Sequence, residues 1–136
     1  MDTNLMSFTA LIVDDEPHIR RVAELSLRAI GCTVISASNG EQAWEEIQHN
    51  CPDILVSDVQ MPKLDGLQLL RLVRDTPAYA NLPIILLTAK GFELQQSDSL
   101  LMDSCEIVCK PFSPAALSRR VHEKLSKQAP KVTAAV

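Results

Sequence analysis

The fold is decided by one stretch of the chain, Ile54-Leu55-Val56-Ser57-Asp58-Val59-Gln60-Met61-Pro62. Residues 54–57 suit a buried strand, which ends at the carboxylate of Asp58, and residues 61–66 (MPKLDG) follow as a turn signal. In open parallel sheets, ligands bind in the crevice at the carboxyl ends of the strands. Asp58 is therefore either an acid that faces a ligand or a residue that binds turn amides, and the remaining strands distinguish the two.

Bulk composition indicates an ordinary globular domain. The chain has 136 residues, 46% of them hydrophobic and 22% charged, and a formal net charge of −4. This acidic balance gives no indication of a nucleic acid or an anionic membrane as a direct partner. No apolar run approaches the roughly 18 residues of a membrane span, and no signal-peptide pattern is present, so we expect a cytoplasmic protein. We interpret the four cysteines as reduced core or boundary residues, because no paired metal-ligand spacing links Cys32, Cys51, Cys105 and Cys109.

Apolar runs and helical spacing predict five strands that alternate with five helices. The strands are expected at residues 9–13, 33–36, 54–57, 84–87 and 106–109, and the helices at about 17–30, 40–49, 66–76, 91–102 and 114–125. The helix at 91–102 has little apolar surface, so we expect low local stability there. This alternation predicts an α/β fold, a doubly wound three-layer sandwich with a parallel sheet. We expect one domain over residues 1–127, followed at 128–136 by a flexible tail or the start of a linker.

Cap signals mark the ends of several predicted helices. Pro17 suits the first turn of the first helix with an acid before it as cap, and Gly31 suits its C-terminal cap. Asn39, followed three residues later by a glutamine, resembles a capping box. Ser113 before a proline is typical of the start of the last helix.

Four of the five predicted strands end in a chemically capable residue. These residues are Asp14 and Asp15, Asp58, Thr88 and Lys110. They should converge, because parallel strands present their carboxyl ends at one edge of the sheet. Three adjacent carboxylates repel one another unless a cation neutralises them, and oxygen ligands suit Mg²⁺ or Mn²⁺. The hydroxyl and the ammonium are donors suited to an anion such as a phosphoryl group.

At these motifs the sequence resembles the receiver domain of bacterial two-component response regulators, and it is similar to the single-domain chemotaxis-type regulators. The resemblance covers about residues 8–127. It is carried by Leu11-Ile12-Val13-Asp14-Asp15-Glu16-Pro17, by Asp58-Val59-Gln60-Met61-Pro62 with Asp65-Gly66, by Leu87-Thr88-Ala89 and by Lys110-Pro111-Phe112. The resemblance implies a flavodoxin-like (βα)5 fold with strand order 2-1-3-4-5.

The resemblance also implies a role for each site residue. Asp58 would be the phosphorylated nucleophile, and Mg²⁺ would be held by Asp14, Asp15, Asp58 and the backbone carbonyl of Gln60. The phosphoryl oxygens would be bound by Thr88, the backbone of Ala89 and Lys110, with a cis peptide between Lys110 and Pro111. Gln60 and Lys90 would tune the lifetime of the phosphoryl group.

The same resemblance implies partners and an output. A sensor histidine kinase or a phosphotransfer protein would donate the phosphoryl group. The surface of helix four, strand five and helix five would then bind a downstream protein, or act on an output domain beyond the C-terminus. The chain would be a signalling phosphoacceptor that assists its own phosphorylation and dephosphorylation, not an enzyme. It could be a complete single-domain regulator or the front piece of a longer protein.

Two positions depart from the family pattern. Ile107 stands where the family usually has Tyr or Phe, and Asp103 stands where Gly is usual. Both lie in the expected output region. Ile107 leaves open a receiver fold that acts as a protein-interaction module without phosphorylation, whereas the full acid set with Thr88 and Lys110 argues against that alternative. A flavin-binding domain fits poorly, because the acidic loop after strand one would repel phosphate. A phosphatase with its nucleophile after strand one also fits poorly; its second acid would stand two residues on, where this chain has Glu16.

Overall fold

The computed structural model describes residues 8–89 and 104–127, and the strands within them form one five-stranded parallel sheet. The strand order is β2-β1-β3-β4-β5, which confirms the predicted fold class and topology. All five predicted strands are present, each within one residue of the expected bounds. They are β1 (Thr9–Val13), β2 (Thr33–Ala37), β3 (Ile54–Asp58), β4 (Ile84–Thr88) and β5 (Glu106–Cys109).

Four α-helices lie within the described residues, with a short 3₁₀ turn at Pro77–Tyr79. The last of them, α4, is the fifth helix of the sequence prediction. The predicted helix at 91–102 lies outside the described residues, as do Lys90, Asp103 and the expected tail at 128–136. The helices are α1 (Pro17–Arg28), α2 (Gly40–His49), α3 (Gly66–Asp75) and α4 (Pro114–Leu125). None of these helices is long and apolar enough to cross a lipid bilayer.

Most predicted helix caps are confirmed, but the predicted capping box at Asn39 forms only in part, because the Gln42 side chain accepts the backbone N–H of Ser38 at 2.7 Å. The Asn39 side chain accepts a hydrogen bond from the Gln42 backbone N–H at 2.8 Å, and Ser113 caps α4 in the same way. Gly31 has a φ of 100°, and the backbone N–H of Cys32 closes the end of α1 on the carbonyl of Leu27 at 3.2 Å. A left-handed residue at this point of a helix end favours glycine.

The predicted acid cap of α1 is wrong for the residue directly before Pro17. Glu16 occupies the N-cap position, but its side chain makes no capping hydrogen bond. The carboxylate of Asp14 instead accepts the Glu16 backbone N–H at 2.9 Å. An acid two residues earlier therefore organises the turn, and this acid also belongs to the polar cluster described below.

The sheet separates two hydrophobic layers, because successive residues of a strand point to opposite faces. In β1, Ala10 and Ile12 pack with α1 and α4, whereas Leu11 and Val13 pack with α2 and α3. The first layer adds fully buried Leu27 and the second adds side chains of α2 and α3, among them Ile47, Leu69 and Leu70. Each fully buried side chain of this size contributes about 1.5–3 kcal/mol. The two layers hold the sheet rigid up to the carboxyl ends of its strands.

Candidate functional site

Strand register brings the predicted site residues together. Val13 pairs with Ser57, so Asp14 and Asp58 follow side by side at the ends of β1 and β3. Thr88 pairs with Cys109, so Lys110 comes directly after the last pair of β4 and β5. The five polar residues expected to converge therefore lie at one edge of the sheet.

Three carboxylates form the centre of this edge. One carboxylate oxygen from each of Asp14, Asp15 and Asp58 lies within 4.8 Å of the other two. Asp14 is fully buried and Asp58 is 6% exposed, whereas Asp15 is exposed to solvent. This donor set fits a hard divalent cation that prefers oxygen ligands, such as Mg²⁺ or Mn²⁺, and the three acids would hold it.

Lys110 lies between the two buried acids. Its Nζ atom is 3.2 Å from Oδ2 of Asp14 and 3.2 Å from Oδ1 of Asp58. The Lys110 side chain is 17% exposed, so these contacts form where solvent screening is weak. The lysine offsets part of the negative charge that the three acids place at the edge.

Burial and charge shift the pKa values of this pair. Burial, followed by the nearby charge of Asp14, raises the pKa of Asp58, while Lys110 acts in the opposite direction without cancelling the rise. For Lys110, burial lowers the pKa, but the charges of Asp14 and Asp58 outweigh it and the net shift is upward. The lysine is therefore charged at neutral pH, and Asp58 is a more basic carboxylate than an exposed aspartate.

Asp14 is held at its backbone as well as at its carboxylate. Its N–H donates to the carbonyl of Ala37 at 3.2 Å, which extends the pairing of β1 with β2 by one residue. Its carbonyl accepts a hydrogen bond from Nη1 of Arg20 at 2.7 Å. Sequence reasoning missed Arg20, although a long cation in the first turns of a helix that follows an acidic strand end was a usable signal.

Gly66 fixes the turn after Asp58. Its N–H donates to the carbonyl of Val59 at 2.8 Å, and a Cβ atom at this position would lie 2.2 Å from the backbone oxygen of Asp58. Only a residue without a side chain permits this approach. The sequence marked Gly66 as part of a turn, but the contact with the Asp58 backbone depends on three-dimensional packing.

The loop between β3 and α3 also packs on the start of α2. A Cβ atom at Gly40 would lie 2.0 Å from the carbonyl oxygen of Leu64, so this second close approach also requires glycine. Lys63 has a φ of 68° and pairs with Glu41 across 3.9 Å. The loop that contains Gln60 is thus pressed against a neighbouring helix.

The remaining predicted residues surround the acids. Thr88 is 8% exposed at the end of β4, and its carbonyl accepts the Lys110 backbone N–H at 2.7 Å. Ala89 and Gln60 are exposed in the turns that follow β4 and β3. The peptide bond between Lys110 and Pro111 is cis, as predicted.

Ile107, at the position where the family usually has Tyr or Phe, is partly buried. Its side chain packs against the hydrophobic layer that includes α2 and α3. It pairs with Leu86 of β4, two residues before Thr88. An aliphatic side chain therefore fills this place on β5, which β4 separates from the strand that ends at Asp58.

A shallow apolar cavity opens beside the acids. Its volume is about 320 Å³, and it lies between the start of α1 and the turn after β5. The lining is mostly apolar, and its one charged residue is the lysine that contacts Asp14 and Asp58. It comprises Ile19, Val22, Ala89, Lys110, Pro111 and Phe112. The cavity thus reaches the same edge of the sheet as Asp58.

The chain belongs to the response regulator receiver domain family, whose model matches residues 10–122. It is 42% identical over 123 residues to a probable transcriptional regulator, ycf27, of Pyropia yezoensis, a match that covers 90% of this chain and 49% of that protein. It is 35% identical over 107 residues to protein PilG of Pseudomonas aeruginosa, covering 79% of each. The chain spans about half the length of the first curated relatives it matches.

Solved structures agree with this assignment. The crystal structure of a protein described as a putative response regulator, from Chloroflexus aurantiacus, matches this chain with a TM-score of 0.77 and 38% sequence identity. The match covers 88% of this chain and 98% of that one. Chemotaxis protein CheY4 of Vibrio cholerae has a TM-score of 0.75 and 27% identity, covering 87% and 98%. The chain is a receiver domain of two-component response regulators.

Proposed function

We propose that this receiver domain accepts a phosphoryl group on Asp58 from a phosphohistidine of a partner protein, with Mg²⁺ as the required ion. One observation supports the proposal above the others: Asp14, Asp15 and Asp58 converge within 4.8 Å while Lys110 contacts two of them. A turn acid without a chemical role needs neither a second buried carboxylate nor a shared lysine.

The proposed reaction is a direct transfer. An oxygen of the Asp58 carboxylate forms a bond to phosphorus as the bond between phosphorus and the donor imidazole nitrogen breaks, and the imidazole leaves with the electron pair. The product is an acyl phosphate. Burial and the nearby charge of Asp14 raise the pKa of Asp58, so its ionised carboxylate is more basic and hence a better nucleophile.

Each neighbouring residue has a proposed part in this reaction. Mg²⁺, held by Asp14, Asp15, Asp58 and the Gln60 carbonyl, would supply charge neutralisation at the transferred oxygens. Lys110 would exchange its contact with the Asp58 carboxylate for a phosphoryl oxygen. The Thr88 hydroxyl and the Ala89 N–H would donate to the other phosphoryl oxygens. Gln60 and Lys90 are proposed to tune the lifetime of the product.

Donor and output surfaces complete the proposal. The apolar cavity lined by Ile19, Val22 and Phe112 opens at the edge that holds Asp58, so a donor protein seated there could bring its phosphohistidine to the nucleophile. Output is proposed to pass through the segment before β5, through β5 and through α4, to a downstream protein or to a further domain of a longer chain. The domain is proposed to act in the cytoplasm as a signalling phosphoacceptor, not as an enzyme with turnover on a separate substrate.

A small phosphodonor tests the chemistry without a cognate kinase. Incubation with acetyl phosphate and Mg²⁺ should add the mass of one phosphoryl group to the intact chain, at Asp58 by peptide mapping. The adduct should be absent in Asp58→Ala and present in Asp75→Ala, a matched loss of an exposed acid at the end of α3. An unmodified wild type that still binds protein partners would instead favour a module that works without phosphorylation. The aliphatic Ile107 is the one observation that favours this second candidate.

A further inference from the structure

We infer that Arg20 is a positioning residue for the acids at the end of β1. Its guanidinium holds the Asp14 carbonyl and thereby sets the place of Asp15 in the metal site. The inference concerns the ion-binding step and rests on the proposed function for its biological meaning. It assigns a role to a side chain outside the set of acids, hydroxyl and lysine that the sequence motifs identify.

Contacts on Asp14 bracket the turn that contains Asp15. The Asp14 carboxylate accepts the N–H of Glu16, the residue after Asp15, at 2.9 Å. The Asp14 carbonyl, which begins the peptide unit leading into Asp15, accepts from Arg20 at 2.7 Å. Asp15 itself is exposed, so surrounding side chains do not confine it by burial. Its position therefore depends on how firmly the backbone on either side is fixed.

Helix geometry explains how Arg20 reaches this carbonyl. Side chains of an α-helix point toward its N-terminus, and Arg20 lies one turn inside α1, with its own N–H bonded to the Glu16 carbonyl at 2.9 Å. A long side chain at this point extends back over the first turn to the end of β1. A cation near a helix N-terminus interacts unfavourably with the helix dipole. The hydrogen bond to the carbonyl and the nearby acids offset that cost.

The neighbouring arginine supplies a matched control. Arg21 has the same charge and lies on the same helix, but its side chain is 66% exposed and pairs with Glu24 across 3.6 Å. Loss of either arginine removes one positive charge near the acids, and that change alone should strengthen Mg²⁺ binding slightly. Loss of the hydrogen bond from Arg20 to the Asp14 carbonyl should weaken Mg²⁺ binding, because ion binding must then also order the turn that contains Asp15. Charge and positioning therefore predict effects of opposite sign.

The test compares three variants of the full chain: Arg20→Met, Arg20→Lys and Arg21→Met. We expect Arg20→Met to bind Mg²⁺ about tenfold more weakly in calorimetric titration, the lower end of the range for residues that orient metal ligands. Arg20→Lys keeps one donor for the carbonyl and should restore most of the affinity. Arg21→Met should match the wild type or bind slightly more tightly. In metal-free protein, the Glu16 amide should exchange with deuterium about tenfold faster in Arg20→Met only.

Two results would overturn the inference. One is wild-type Mg²⁺ affinity and wild-type Glu16 exchange in Arg20→Met. The other is a loss of affinity in Arg20→Met and Arg20→Lys alike that is matched by a large fall in the metal-free Tm, which would indicate a merely structural role. Failure of the proposed function is separate: a wild type without Mg²⁺ binding or phosphoryl adduct would refute that function, while the exchange measurement would still test the hydrogen bond from Arg20.

Discussion

The Nζ atom of Lys110 lies 3.2 Å from Oδ1 of Asp58, so an ion pair joins the ends of β3 and β5 across the intervening strand β4. The same nitrogen contacts Asp14, the residue that follows β1. One side chain thus connects three strands at the edge where the acids converge. Among the ion pairs of the described residues, Lys110 supplies the cation that contacts the candidate nucleophile.

Substitution of Lys110 by methionine should destabilise the metal-free protein. The variant leaves two poorly solvated carboxylates without their cation, and we expect a loss of about 1–3 kcal/mol in the free energy of unfolding at pH 7. Urea denaturation with a chelator present measures the loss. Lys63→Met is the control, because its pair with Glu41 is about two-thirds exposed on both sides and should contribute less than about 0.5 kcal/mol. Equal losses in both variants would contradict the role given to Lys110.

Magnesium should raise the Tm of the wild type. Binding to the folded state alone stabilises it by RT ln(1 + [Mg²⁺]/Kd), which is about 1.4 kcal/mol at ten times Kd. For a domain of this size the shift should be about 3–6 °C in a thermal scan. Asp15→Asn should lose most of the shift and Asp75→Asn should keep it, since only Asp15 belongs to the acid cluster. A full shift in Asp15→Asn would rule out the assigned ligand.

The pH dependence of the free energy of unfolding should show that the pKa of Asp58 is raised in the folded protein. In metal-free protein, burial and the charge of Asp14 raise the Asp58 pKa above 3.8, so the folded state binds more protons than the unfolded state between these two pKa values. The free energy of unfolding then falls as pH rises through that window. Asp58→Asn lacks this loss, so its stability relative to the wild type should increase from about pH 4 upward and then level off. Urea denaturation over a pH series measures both curves.

Glu106 should change the pH dependence of stability in the opposite direction to Asp58, because its pKa is lowered in the folded protein. Burial acts to raise its pKa, but hydrogen bonds from Arg120 and Lys124 outweigh burial, and the pKa lies below 4.5. The wild type therefore gains stability as pH rises from the folded-state pKa to 4.5, and Glu106→Gln should lose that gain. If the stability relative to the wild type changed with pH in the same direction for both variants, one of the two assignments would be contradicted.

Replacement of Gly66 by alanine should displace the candidate nucleophile. The added Cβ atom would lie 2.2 Å from the Asp58 backbone oxygen, and relief of that overlap should cost about 1–3 kcal/mol and weaken Mg²⁺ binding. Gly31→Ala is the control: its φ of 100° makes alanine strained by about 1 kcal/mol, but it lies at the far end of α1. Both variants should lose stability in urea denaturation, and only Gly66→Ala should lose Mg²⁺ affinity. Unchanged Mg²⁺ affinity in Gly66→Ala would contradict this expectation.

Sequence alone predicted the sheet and the place of the acids because both depend on local patterns. Buried parallel strands appear as apolar runs, and a parallel sheet brings their carboxyl ends to one edge whatever the loops do. Asp14, Asp58, Thr88 and Lys110 could therefore be grouped before any coordinates were known. The caps at Asn39 and Ser113 follow from contacts only three residues apart.

Contacts between distant side chains could not be predicted in this way. Lys110 and Asp14 are 96 residues apart, and their 3.2 Å pairing depends on the turn after β5 and on the helix that follows β1. The role of Arg20 depends on which way a helical side chain extends, and the role of Gly66 depends on a clash that exists only when the loop is folded. The sequence also could not show that Asp14, and not Glu16, accepts the hydrogen bond before α1, because both acids satisfy the local pattern.

The contrast between fully buried Asp14 and exposed Asp15 has a consequence for how the site is loaded. A divalent ion held by these acids would be accessible from solvent through Asp15, while the hydrophobic layers on both faces of the sheet stay closed. Exchange of the ion would then need no local unfolding, and its occupancy would follow the free divalent-ion concentration of the surrounding medium. The domain would therefore be charged with its cofactor before any phosphodonor arrives.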